Sequence, residues 1–216
     1  MPVIHLVRHG QASFGTDNYD LLSELGHEQA TAAGRELARR GSRTPIMVSG
    51  SLQRQRRTAE IIAGELGVAV RELGTDARWN EFDAHALVDE RLGGAGASGG
   101  LSSQEFQVEL DEEMQAWIDG GGPSWSAFSD GALEALFDIA KRTPKGSDAI
   151  VATSAGVTAA VVGQLLGLDA RGVIALNRVS VNASITTVLS GSRGLSLLTF
   201  NDHAHFIGRA GLLTNR

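Results

Sequence analysis

Apolar runs alternate with amphipathic stretches along this chain, and the alternation sets its elements. Residues 3–7, Val-Ile-His-Leu-Val, suit a central strand, and the abrupt change to Arg8-His9-Gly10 puts polar groups at its carboxyl end. Residues 11–20 are rich in Gly, Asp, Asn and Ser and read as a loop over that end. Ser23-Glu24-Leu25-Gly26 opens a helix to about residue 40, with Ala30, Ala33, Leu37 and Ala38 on one face. Glu28, Arg35, Glu36 and Arg39 lie largely on the other face, and Gly41 is the stop. Ile46-Met47-Val48 is a short buried strand that passes through Ser49-Gly50-Ser51 into a helix over about residues 52–66. Residues 68–73 read as extended.

From residue 86 to about 130 the pattern changes. A glycine-rich, flexible tract at 93–100 precedes a helix at 104–118 with Phe106, Leu110, Met114 and Trp117 on one stripe, ended by Gly120-Gly121-Gly122-Pro123. The stripe is the kind that packs, and the block reads as an insertion lying over the sheet end, a lid within a single domain spanning 1–216. Regular structure resumes with a helix at 133–141, a buried strand at 149–152, the turn Thr153-Ser154-Ala155-Gly156 and an apolar helix at 157–166. Strands at 184–189 and 195–200 flank Gly191-Ser192-Arg193-Gly194 as a hairpin.

Composition narrows the function. A formal net charge of -6 disfavours a general role on nucleic acid or anionic membranes, so any anion site must be a local cluster of arginines. The chain has no cysteine, which removes disulfides, thiolate zinc sites and cysteine nucleophiles. No stretch reaches the ~18 apolar residues of a membrane span, and the amino terminus lacks a leader pattern, so a cytoplasmic protein is expected.

The chemistry then concentrates at few positions. A neutral His9 imidazole beside Arg8 suits nucleophilic attack on phosphorus, because guanidinium matches phosphate oxygens bidentately, and Gly10 lets the backbone turn close to a ligand. Arg54, Arg56 and Arg57 crowd a helix start whose dipole prefers negative charge, so an anion is expected there. Arg56 and Arg57 read as a solvated face, whereas Arg54 sits one turn past Ser49-Gly50-Ser51, where a phosphate would meet free backbone N–H groups. Thr153-Ser154-Ala155-Gly156 offers a second helix start of this kind. Glu81, between Trp79-Asn80 and Phe82, reads either as a carboxyl held partly out of water for proton donation or as an exposed or helix-capping acid. His203 and His205 have a metal-capable spacing without a further ligand cluster and read as structural, His5 as a strand residue, and His27 and His85 carry no motif.

Assembled, these pieces resemble the histidine phosphatase superfamily, with its phosphoglycerate-mutase-like fold, over nearly the full length. The resemblance lies in Leu6-Val7-Arg8-His9-Gly10, in Leu22-Ser23-Glu24-Leu25-Gly26-His27-Glu28-Gln29-Ala30, in Ser49-Gly50-Ser51-Leu52-Gln53-Arg54 through Thr58-Ala59, in Glu81, and in Asn201-Asp202 with His205. It implies a three-layer α/β/α fold around a mostly parallel sheet. It also implies a metal-independent, cofactor-free phosphomonoesterase in which His9 becomes phosphorylated, Arg8 and Arg54 clamp the phosphate and Glu81 protonates the leaving group. Ser13 is assigned to the substrate pocket, and Ser154 and Ala155 to the phosphate site. There Ala155 takes the place of a second histidine, and losing one such donor costs about 10²–10³ in rate. Either Ser154 or backbone amides replace it, or His203 or His205 reaches in, or the protein is a weak or silent phosphoester-binding module. A phosphoglycerate-mutase-type phosphotransferase is the remaining reading, against which the loop after His9 lacks an Asn-Arg-Phe-Thr-Gly-Trp-like stretch. The expected partner is a small phosphorylated substrate, with a homodimer left open and no nucleic acid or membrane.

Overall fold

The computed structural model of the chain describes residues 1–13, 20–42, 45–120 and 123–215, the side chains of Arg71 and Pro123 excepted. Most of the loop expected at 11–20, and Gly121 and Gly122 of the expected helix stop, lie outside the described residues. A six-stranded sheet is ordered β3-β2-β4-β1-β5-β6, with β1 at Val3–Arg8, β2 at Ile46–Ser49, β3 at Gly74–Thr75, β4 at Asp148–Thr153, β5 at Ile185–Gly191 and β6 at Gly194–Asp202. The β3, β2, β4 and β1 ladder is parallel, and β5 and β6 join antiparallel. The sheet is therefore mostly parallel, as the resemblance implied.

Alternation along the strands builds two cores. Ile4 and Leu6 face a cluster with Val151, Leu136 and Val161, contributed in part by α5 (Pro123–Arg142) and α6 (Ala155–Leu166). Val7 and Ile150 point the other way, to Ala33, Leu37 and Ile62 of α1 (Glu24–Arg39) and α2 (Gln53–Leu66). These are the two helical layers of a three-layer α/β/α fold. A third, smaller cluster joins Val88 of α3 (Ala84–Leu92), Leu110 and Met114 of α4 (Ser103–Asp119) and Ile174 of α7 (Ala170–Val179).

Several expectations change in detail. Residues 68–73 are not a strand; Val70–Glu72 is a 3-10 turn, and the edge strand follows at β3, where Gly74 pairs with Val48. The helix expected at 133–141 starts ten residues earlier at Pro123, a residue that is well tolerated at a first helical position because its missing N–H has no partner to lose. The insertion boundary near 130 therefore falls inside α5. Glu36, expected on the outward face of α1, is buried under Arg39 and Arg40. The tract at 93–100 is wound around one carboxylate: Asp89 accepts from Gly96 N at 2.7 Å and Ser98 N at 2.8 Å. No element was expected at α7, where Asp169 caps Gly172 N at 2.9 Å.

Candidate functional site

β1 delivers Arg8 and His9 at the carboxyl end of the sheet, beside the end of β4. His9 N donates to Thr153 O at 2.8 Å, which extends the ladder by one residue, and the His9 carbonyl accepts from Ala183 N and Asn182 Nδ2, each at 3.3 Å. Gly10 is required by contact rather than by dihedral: a Cβ there would lie 2.2 Å from Gly26 O, so only glycine lets β1 run this close to α1. Gly10 N donates to Thr58 Oγ1 at 3.2 Å and thereby ties the strand end to α2.

The imidazole is 6% exposed, and its two nitrogens are differentiated by their surroundings. Nδ1 lies 2.7 Å from Gly10 O, a group that only accepts, so Nδ1 carries the proton and Nε2 keeps its lone pair. Arg54 Nε–H points at that lone pair from 3.2 Å. Burial, then the charges of Arg8 and Arg54, hold the His9 pKa well below its usual value, so the ring is neutral and nucleophilic at physiological pH. The Arg8 guanidinium is itself anchored by the Ser180 carbonyl.

The structure supplies an anion at the start of α2, but it is not a ligand. Asp20 Oδ1 accepts from Arg54 Nη1 at 2.6 Å while Oδ2 accepts from Gln53 N at 2.8 Å. Gly50 N is paired with Ala152 O at 3.2 Å and Ser51 N with Asn80 Oδ1 at 2.6 Å. The expectation that a phosphate would meet free amides at 49–51 is thus overturned, because the chain's own oxygens occupy them.

The start of α6 is filled in the same way. Glu81 Oε2 accepts from Gly156 N at 3.0 Å, and a Cβ at residue 156 would lie 2.3 Å from Glu81 Oε1. Burial raises the Glu81 pKa, against the pull of the Gly156 N–H and of Arg54 and Arg8. The group that caps this helix is therefore also a carboxyl inclined to hold its proton.

Of the other expected positions, Ala155 is the first residue of α6 and nearly covered. Ser154 has no exposed surface and its hydroxyl accepts from Gln55 Nε2 at 2.8 Å, so it braces α2 rather than facing the opening. Ser13 N pairs with Leu21 O at 2.8 Å, beside Asp20. The His203 Nδ1–H donates to Asn201 O at 2.7 Å, and the His205 ring lies against Phe206 with centroids 4.2 Å apart and planes tilted by 60°, so both are engaged in the closing segment. Among the described residues no group of three His, Cys, Asp or Glu could hold a metal ion, and no helix is long and apolar enough to cross a membrane.

Sequence reading missed Asp20, Thr58 and Asn182. The crowd of arginines at α2 pointed to an anion without saying whose. Asn182 and the left-handed turn around it, with Ala183 and Asn201 both at φ 55°, left no signal in composition or periodicity. Together these groups place a neutral imidazole, two guanidinium groups and a protonatable carboxyl around one strand end.

Known proteins share this arrangement of elements. A 2,3-bisphosphoglycerate-dependent phosphoglycerate mutase of Chelativorans sp. (strain BNC1) is 40% identical over 84 residues, 36% of this chain and 41% of that protein. The chain spans about half or less of the length of the first such relatives. A solved phosphoserine phosphatase from Entamoeba histolytica superposes with a TM-score of 0.67 at 19% identity, covering 95% of this chain and 99% of that one. A phosphoglycerate mutase from Bacillus anthracis str. Sterne gives 0.63 at 17% identity, covering 95% of both. The model of the histidine phosphatase superfamily, branch 1, matches residues 4–203, and with β1, α2 and Glu81 disposed as described, the chain belongs to that superfamily.

Proposed function

We propose that the protein is a metal-independent phosphomonoesterase that works through a phosphohistidine on His9. The observation that carries this reading is the imidazole itself: Nδ1 is tied to the Gly10 carbonyl, and Nε2 is presented to Arg54 at 3.2 Å. Nε2 attacks phosphorus, the bond to the ester oxygen breaks, and Glu81 gives its proton to the departing alkoxide. Arg8 and Arg54 stabilise the equatorial oxygens. Water then attacks the phosphorus, loses a proton to the Glu81 carboxylate and breaks the P–N bond, releasing orthophosphate.

The pH dependence follows from the two shifts. Activity needs a neutral His9, whose pKa is lowered, and a protonated Glu81, whose pKa is raised, so kcat/KM is retained into mildly acidic solution and falls as Glu81 ionises. Hydrolysis of phenyl phosphate is expected for the intact protein and to drop at least about 10³-fold in His9→Ala, a loss of the size that follows removal of a catalytic nucleophile. Equal rates for the two proteins overturn the reading. A second reading, a phosphoester-binding module with weak turnover, is favoured by Ala155 and by the buried hydroxyl of Ser154. Under it, Ala155→His raises kcat from a low level.

A further inference from the structure

Two guanidinium groups serve the site, and its neighbour is aromatic. The fields of Arg8 and Arg54 reach both His9 and Glu81, and Arg54 already pairs with Asp20 at 2.6 Å. A dianionic phosphoryl group takes up what remains. Residues 92–140, which hold α4, α5 up to its last turn and the aromatic neighbours of Phe82, contain no lysine or arginine against nine acids; Lys141 and Arg142 follow at the far end of α5. Three arginines on the flanking segments are committed elsewhere: Arg78 to Asp76 and Asp138, Arg91 to Glu109 and Glu112, and Arg178 to Asp111.

What these residues bring is ring surface. Phe82 follows Glu81 directly, and its ring lies so close to α6 that a Cβ at residue 156 would stand 2.4 Å from it. It meets Trp117 edge-on at 5.4 Å and Phe128 at 5.6 Å, and Trp117 meets Trp125 at 4.9 Å. All four rings are partly exposed. A carboxylate placed against them loses hydration and gains no cation, whereas an uncharged ring gains edge-to-face contacts and apolar burial.

Resting on the phosphoester reading above, we propose that the substrate is a phosphomonoester whose alcohol moiety is aromatic and uncharged, its ring seated on Phe82 and Trp117 beside the Glu81 carboxyl. Esters that carry a second phosphate or a carboxylate on the alcohol are rejected because, among the described residues, the face formed by Phe82, Trp117, Trp125 and Phe128 holds no cation to receive it.

Phenyl phosphate and 4-carboxyphenyl phosphate, which differ by one carboxylate, test this. Titration calorimetry on His9→Ala, where turnover is removed, reads binding alone. Phenyl phosphate is expected to bind at least tenfold more tightly than 4-carboxyphenyl phosphate or 3-phosphoglycerate. Equal affinities, or tighter binding of either acid, overturn the inference. Binding of none of the three overturns it together with the phosphoester reading. A tenfold preference in a protein that hydrolyses nothing removes the hydrolase and keeps the substrate class. Trp117→Leu retains apolar volume, and its folding is checked by thermal melting. It is expected to weaken phenyl phosphate about fivefold more than glycerol 2-phosphate, and an equal loss for both sinks the role given to the ring.

Discussion

At Asp20 one carboxylate meets two demands made by α2. It caps a helix whose N-cap residue, Leu52, offers no side-chain acceptor, and it grips the Nη1 edge of Arg54 so that Nε faces His9. It is thus a positioning residue that acts through the guanidinium. Asp20→Asn keeps an acceptor for Gln53 N but loses the charge, so it is expected to lower kcat/KM about tenfold with a small change in melting temperature. Arg54→Ala is expected to cost about 10²–10³, the scale seen when one donor to a developing oxyanion is removed. In the double variant the loss should not exceed that of Arg54→Ala, since the pair works as a unit. Losses that multiply would mean that Asp20 acts on its own.

Helix starts are where the elements do their chemical work, and here both are occupied by the chain itself: α2 by Asp20 and α6 by Glu81. At α6 this depends on Gly156, because a Cβ would sit 2.3 Å from Glu81 Oε1 and 2.4 Å from the Phe82 ring. Gly156→Ala is expected to swing the carboxyl away and cost about 10²-fold in kcat, the range for loss of a general acid, with a modest fall in melting temperature. Wild-type kcat in that variant would show that Glu81 needs no such seat. The elements differ in how far the sequence revealed them. The convergence of Arg8, His9 and Arg54 was implied by the family resemblance; the strands β1 and β4 and the helices α1, α2 and α6 were legible in the chain itself, because buried runs, caps and a strand-turn-helix repeat leave local patterns. The start of α5 was not, since Gly-Gly-Gly-Pro reads as a break; α7 was overlooked although its Asp169 cap and the apolar face of Val173 and Ile174 stand in the sequence. Asp20 and Asn182 were hidden for another reason: their partners are 34 and 173 residues away, and no local pattern encodes such a contact.

Across the whole molecule, the sheet carries buried polar groups whose protonation couples to folding. His5 lies in the middle of β1, 3.2 Å from Thr187 Oγ1, and its pKa is lowered to about 4, by burial first, with Asp148 opposing and Arg40 reinforcing the shift. The unfolded chain takes up this proton near pH 6.5 and the folded one only near 4, so stability is full above 6.5 and is lost as pH falls to about 4. The shift is worth about 3 kcal/mol. Urea denaturation from pH 7.5 to 4 should show this decline, and His5→Gln should flatten it by a comparable amount. An unchanged slope would assign the acid sensitivity to other groups, among them His205, whose pKa is likewise lowered to about 4.

A hydrogen-bonded relay leads from the closing segment to the nucleophile: Gln29 Nε2 donates to Thr214 Oγ1, Thr214 Oγ1 donates to Asn182 Oδ1, and Asn182 Nδ2 donates to the His9 carbonyl. Residue 214 thus serves as a latch on the reactive strand. A protease that trims back to Leu213 removes the Thr214 hydroxyl and carbonyl and so reaches the imidazole's backbone support without touching any group that does chemistry.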